Sequence, residues 1–130
     1  MIEWIVVTEP EKFDLTGILS QCEQIDCRQN VFIDEGDIIY FYVGGDVKSV
    51  KFQCQAVKMG IPENETLPNA FGPESDADNR ENYPCYMRLK KLRTYDDGQL
   101  PLEKLLENGL PNVTGTTRVR SRLASYIHSV

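Results

Sequence analysis

The sequence predicts an α+β fold in which a small, partly closed β-barrel of about five to six strands is flanked by short helices. Two observations carry this prediction. Residues 38–43 are all β-branched or aromatic, which is typical of a strand covered on both faces. Residues 49–59 alternate apolar and polar side chains, which indicates a half-exposed strand antiparallel to the first. A strand covered on both faces favours a barrel wall over a flat open sheet.

The first third of the chain predicts a strand, a helix and a connection. Residues 3–8 are predicted to form a strand with Trp4 and Val6 on one face. Asp14 is expected to cap a short helix whose apolar face includes Cys22. Residues 25–30 are predicted to be a polar connection that leads back to the central strand.

The second half of the chain begins with a change of composition. Residues 60–82 are rich in Pro, Asn, Gly and acidic side chains, which predicts a long acidic surface loop. Residues 83–95 follow as a strand, with Tyr86 and Arg88 facing outward. Residues 101–107 form a short helix that ends at Asn108-Gly109. A last helix is expected to start with Thr117 or Ser121 as its cap.

Length and charge bound the class of protein. A chain of 130 residues has the size of one domain, and we expect residues 1–130 to form a single unit. The net charge of −6 is divided unevenly, because residues 1–82 carry −10 and residues 83–130 carry +4. Because the local electrostatic potential determines where a charged ligand docks, the basic final third of the chain is compatible with a polyanionic partner.

Several classes are disfavoured by composition. The four cysteines include no CxxC pair, and the only histidine is His128, which argues against structural zinc and against common nucleophilic catalysis. We expect no metal and no cofactor. The sequence has no signal peptide before Trp4 and no apolar run of membrane-spanning length. A cytoplasmic protein with reduced thiols, not associated with membranes, is the prediction.

The basic side chains near the end of the chain are the main signal for binding. Three arginines beside a helix start repel the positive end of its dipole, and an incoming phosphate reverses that effect. Two hydroxyls precede them, and two further cations on the preceding strand extend the predicted track. The predicted phosphate-binding residues are Arg88, Lys90, Thr116, Thr117, Arg118, Arg120 and Arg122. The alternative is that these arginines pair with the acidic half of the molecule.

Five stretches resemble the EVE domain of the PUA-like superfamily, which is related to YTH and SRA domains. The similarity is to the branch found in modification-dependent restriction systems. It covers nearly the whole chain, in the same order. The stretches are Trp4 to Pro10, Ile25 to Gln29, Gly36 to Val43, Tyr86 to Leu89 and Gly115 to Val119.

This resemblance implies a reader of a modified base. In such domains the base is swung out of the helix and stacked in an aromatic pocket between the first strand, the connection after the first helix and the end of the next strand. The residues at the matching positions are Trp4, Thr8, Glu9, Pro10, Cys27, Arg28, Gln29, Gly44 and Gly45. The branch usually has Trp where this chain has Cys27. Either Trp4, Tyr40 or Tyr42 is therefore expected to do the stacking, or the pocket has changed its ligand or lost it. Arg28 has Asp26 as its expected partner if it is not at the pocket rim.

The functional prediction is a non-catalytic module that binds nucleic acid, DNA with a methylated or otherwise altered base before RNA, by base flipping. By resemblance, its partner is a fused or separately encoded nuclease or GTP-driven motor. The alternatives are a protein-interaction or regulatory module with a vestigial pocket, and a YTH-like reader of modified RNA. Some ASCH-type relatives are small hydrolases that use a Lys, Thr and Glu set. Thr8 and Glu9 lie near the relevant place, but a suitable lysine is missing.

Overall fold

The computed structural model describes residues 1–28, 32–68, 70, 85–113 and 115–130. Six strands form one mixed sheet in the order β2-β5-β4-β3-β1-β6. The strands are β1 (Glu3–Thr8), β2 (Gln24–Arg28), β3 (Ile38–Val43), β4 (Ser49–Ile61), β5 (Tyr86–Thr94) and β6 (Thr116–Arg118). The helices are α1 (Leu15–Leu19), α2 (Leu102–Glu107) and α3 (Ser121–His128), with a 3₁₀ turn at Glu63–Glu65. The predicted α+β class is confirmed, and the sheet is open because β2 and β6 lie at its two ends.

Strand β3 lies within the sheet, as its composition predicts. All six of its side chains are buried. It pairs antiparallel with β4 and parallel with β1. Its alternating side chains supply both cores: Ile39 and Phe41 face one cluster, and Tyr40 and Tyr42 face the other. A strand in this position needs apolar side chains on both faces, which explains the uninterrupted apolar run.

The helices cover the two faces of the sheet separately. Leu15 and Leu19 of α1 belong to the cluster that contains Ile39 and Phe41. Leu105 of α2 and Leu123 and Ile127 of α3 belong to the cluster that contains Tyr40 and Tyr42. The Asp14 carboxylate accepts a hydrogen bond of 3.0 Å from the Gly17 N–H, as the predicted cap requires. Residue Gly109, at φ 109°, follows the end of α2, where a side chain would be strained.

Three local predictions are wrong. Residues 24–28 are strand β2, not a connection. They pair antiparallel with β5, and the side chains of Ile25 and Cys27 pack into the core. Strand β4 continues to Ile61, beyond the predicted start of the acidic loop, and most of residues 69–82 lie outside the described residues. Cys22 is exposed.

The last helix starts later than predicted. Its first residue is Ser121, and Arg120 occupies the N-cap position without a side-chain hydrogen bond to the helix. Thr117 lies in β6, because residues 116–118 pair with β1. Sheet pairing therefore determines the conformation of residues that the hydroxyl pattern assigned to a helix cap.

Candidate functional site

A groove lies between the edge strand β6, the start of α3 and the turn after α2. We call it the arginine groove. Its volume is about 530 Å³. Its lining residues are Asn108, Gly109, Pro111, Thr116, Thr117, Arg118, Arg120, Ser121, Arg122 and Leu123. Five of the predicted phosphate-binding residues are thus brought together in one concave surface.

The fold of residues 116–123 explains how the arginines reach this groove. Strand β6 pairs antiparallel with β1, so that Arg118 lies opposite Trp4. Val119 is buried, and its N–H donates a 2.9 Å hydrogen bond to the Glu3 carbonyl oxygen. Arg120 has an extended backbone and α3 begins directly after it. The buried Val119 anchors a segment in which Arg118 and Arg120 are both exposed.

The groove concentrates positive charge. Within the part of the chain that the structure describes, Arg118, Arg120 and Arg122 form no ion pair. The first N–H groups of α3 receive no side-chain cap from Arg120, and the first turn contains no acidic residue. Because the start of a helix carries partial positive charge, the helix dipole and the guanidinium groups both contribute positive potential to the groove. The arrangement favours an anion.

Arg88 and Lys90 do not extend this groove. Arg88 makes a bidentate ion pair with the fully buried Asp26, with 2.9 and 3.1 Å hydrogen bonds. The Leu67 N–H donates to the same carboxylate at 2.8 Å. Hydrogen bonding to Asp26 raises the pKa of Arg88, although burial opposes this. Lys90 is exposed but stands on β5, which β4, β3 and β1 separate from β6 in the sheet.

Arg28 has a different partner from the predicted one. Its guanidinium lies 4.9 Å from the centre of the Tyr86 ring and donates a 2.9 Å hydrogen bond to the Tyr86 hydroxyl. Tyr86 is buried, not outward-facing. Arg88 stands opposite Asp26 in the register between β2 and β5. The Asp26 carboxylate therefore pairs with Arg88 and not with Arg28, its predicted partner.

Trp4 is a buried member of the core cluster that contains Ile39 and Phe41, which we call the first cluster. It is 8% exposed, and its indole N–H donates a 3.0 Å hydrogen bond to Asp37 Oδ2. Asp37 also accepts hydrogen bonds from the N–H groups of Ile2 and Asp34, each at 3.0 Å. Burial acts to raise the pKa of Asp37, but these hydrogen bonds outweigh it and the pKa is lowered. Phe32 stacks on Trp4 with ring centres 6.3 Å apart.

The other predicted pocket residues do not lie together. Cys27 is 1% exposed and packs in the same cluster as Trp4. Gln29 lies outside the described residues. Thr8, Glu9 and Pro10 meet Gly44 and Gly45 at the far end of β1 from Trp4.

The contacts at that far end are close. The Gly44 N–H donates to the Thr8 carbonyl at 2.9 Å, and the Thr8 hydroxyl donates to the Tyr42 carbonyl at 3.0 Å. A Cβ atom on Gly44 would lie 2.7 Å from a Glu9 carboxylate oxygen, so this position accepts a side chain only if Glu9 moves. A Cβ atom on Gly45 would lie 3.4 Å from Pro10 Cγ.

The single histidine takes part in a network that sequence reasoning missed. Glu3 Oε1 accepts a 2.5 Å hydrogen bond from the Tyr40 hydroxyl and lies 2.7 Å from His128 Nε2. Burial, followed by the bond to Glu3, raises the pKa of Tyr40. The network joins the end of α3 to β1 and β3, and no local pattern predicts contacts over such sequence separations.

The described residues contain neither a metal-binding cluster nor a membrane-spanning helix. In residues 1–28, 32–68, 70, 85–113 and 115–130, no group of three or more His, Cys, Asp or Glu side chains is arranged to hold a metal ion. None of the described helices has the length and apolar character needed to cross a bilayer.

Solved structures with the same fold match over nearly the whole chain. An ASCH protein of Zymomonas mobilis, solved as a point mutant, is 18% identical with a TM-score of 0.63, and the match covers 100% of this chain and 99% of that one. A protein of Pseudomonas syringae is 17% identical with a TM-score of 0.64, covering 98% and 97%. A hypothetical protein of Leishmania major is 15% identical with a TM-score of 0.64, covering 99% and 93%.

These similarities show the fold alone. The neighbours that are named for a domain type are ASCH proteins, and none of the similarities supports the EVE branch in particular. No protein-family model matches the chain. No curated protein matches it either.

Proposed function

We propose that this protein is a non-catalytic nucleic-acid recognition module that binds backbone phosphates in the arginine groove. The supporting observation is that Arg118, Arg120 and Arg122 line one concave surface of about 530 Å³ at the start of a helix. Phosphate oxygens accept well from guanidinium groups, hydroxyls and helix N–H groups together.

The groove also explains how an acidic protein binds a polyanion. The chain as a whole carries −6, but the charges that an approaching phosphate meets first are those around the groove. Because none of the three arginines has an ion-pair partner among the described residues, a phosphate does not have to displace a carboxylate. Binding by counterion release is expected to weaken steeply as salt rises.

The register between β1 and β6 supports recognition of a base beside the arginine groove. Because Arg118 stands directly opposite Trp4, we propose that the base of a nucleotide held in the groove is directed toward Trp4. Our finer proposal is that the base is an altered one in DNA, swung out of the duplex as EVE-type readers do. A nuclease or GTP-driven motor, fused or separate, is the partner expected for such a module.

A binding role agrees with the position of the one histidine. His128 lies 2.7 Å from Glu3 Oε1 at the end of α3, whereas the groove is at the start of that helix. We therefore propose that the groove binds and does not turn over its ligand.

The decisive experiment compares two charge reversals. Arg120→Glu is expected to weaken binding of every duplex and single strand by at least about tenfold, with a shallower salt dependence. Lys90→Glu is the matched control, because Lys90 is equally a surface cation but lies on β5. Fluorescence anisotropy at two salt concentrations measures both.

Three results would count against the proposal. Equal losses for the two variants would mean that the groove is not the site. The absence of salt-dependent binding to any nucleic acid would favour a protein partner instead. For the finer proposal, equal affinities for altered and plain duplexes would remove the altered base, and Trp4→Phe is expected to reduce any such preference without changing the salt slope.

A further inference from the structure

Phe32 is an exposed aromatic ring in an unusual position. It is 65% exposed, and it is the aromatic member among the exposed large apolar side chains of the described residues. Its ring packs against Trp4 at 6.3 Å with an interplanar angle of 29°. Contact of an apolar ring with water is unfavourable in free energy, so an exposed ring on a fixed support is a candidate contact surface.

The ring beneath Phe32 is held in place by strand pairing and hydrogen bonds. Trp4 is held by β1 and by the hydrogen bond from its indole N–H to Asp37. The same carboxylate accepts from the N–H of Asp34, two residues after Phe32. Asp37 therefore positions both the buried ring and the segment that carries the exposed one.

Arg118 places positive charge beside this aromatic pair. It stands opposite Trp4 in the antiparallel register, where facing Cα atoms are about 4.5–5.5 Å apart. It also lines the arginine groove. An aromatic surface next to a phosphate-binding groove is the combination that binds unpaired nucleotides, because every base has a face that stacks.

We propose that Phe32 is a stacking platform for an unpaired nucleobase whose neighbouring phosphate lies in the arginine groove. The inference rests on the proposed function, and it names single-stranded or flipped-out nucleic acid as the ligand class. The base stacks on the exposed side of the ring, so that base, Phe32 and Trp4 form a three-layer stack. Recognition by stacking is tolerant of base identity.

The test compares an ordinary single-stranded oligonucleotide with an abasic strand of the same length and charge. Phe32→Ala is expected to weaken binding of the ordinary strand by about 5- to 150-fold and to leave the abasic strand unchanged. Phe32→Tyr is expected to retain binding, and Phe32→Leu is not, because leucine has no π face. Leu92→Ala is the matched control, since Leu92 is 47% exposed on β5.

A second readout comes from the chain itself. Trp4 is the only tryptophan, so its emission reports the stack directly. The ordinary strand is expected to change Trp4 emission, and the abasic strand is not. Because Phe32 is largely exposed, its variants are expected to keep the wild-type melting temperature, which is measured alongside.

The outcomes separate the two proposals. Wild-type protein that binds both strands equally overturns the stacking platform but leaves the phosphate groove intact. Equal weakening of both strands by Phe32→Ala assigns Phe32 a structural role and also overturns it. If neither strand binds at low salt, the proposed function fails first and the platform fails with it. RNA and DNA strands run in parallel show which sugar the site accepts.

Discussion

Two groups of arginines among the described residues have opposite environments. Arg88 and Arg28, on the β2–β5 side of the sheet, contact Asp26 and Tyr86 respectively. Arg118, Arg120 and Arg122, at the other edge, line an open groove and form no ion pair with the described residues. The first group stabilises the fold and the second increases local positive charge. Side-chain type alone does not distinguish them; the presence of a buried acceptor does.

The largest expected effect on stability comes from removing the ion pair between Arg88 and Asp26. Arg88→Ala leaves the Asp26 carboxylate buried without its cation, and we expect a loss of about 3–5 kcal/mol in the free energy of unfolding. Urea denaturation measures it. Adding Asp26→Asn to this variant is expected to restore part of the loss, because the uncompensated charge is removed.

Lys104→Ala provides the scale for that experiment. The Lys104–Glu107 pair is more than half exposed on both sides, so its removal should cost at most about 0.5 kcal/mol. If Arg88→Ala destabilises the protein no more than Lys104→Ala, the buried pair is not a determinant of stability. Phosphate binding by folded Arg88→Ala protein should remain at the wild-type level.

An intermediate effect is expected at Asp37, an acid with internal partners of its own. Asp37→Asn replaces charge-assisted hydrogen bonds and should cost about 1.5–3 kcal/mol at neutral pH. The folded-state pKa is lowered, so the stabilisation is present above the ordinary value of 3.8 and is lost as pH falls through the lower folded value. The melting temperatures of wild type and variant should therefore begin to converge as pH falls below about 4 and should meet only below the folded-state pKa of Asp37. A constant difference between the two proteins across this range would contradict the assignment.

The smallest expected effect on stability comes from a charge reversal among the arginines of the groove. Arg122→Glu places a negative charge in the first turn of α3 and should raise stability by about 0.3–1 kcal/mol at low ionic strength. The gain should shrink in concentrated salt, where surface charges are screened. The same variant should bind oligonucleotides more weakly. Loss of stability instead would show that Arg122 has an internal partner after all.

Much of the architecture was predictable from short-range pattern. The apolar run of β3, the alternation in β4 and the cap at Asp14 each depend on residues close together in the chain, and the structure confirms all three. The clustering of Arg118, Arg120 and Arg122 also follows from sequence, since five residues cannot carry them far apart.

Only the tertiary structure decided which charges are available. Asp26 pairs with Arg88, 62 positions away, and not with Arg28, because β2 and β5 are antiparallel neighbours in this register. The juxtaposition of Trp4 with Arg118 and the stacking of Phe32 on Trp4 likewise arise from strand pairing and loop packing. Local sequence determines which strands and helices form. Long-range pairing determines which side chains meet, and the free energy of a charge or an aromatic ring depends on those partners.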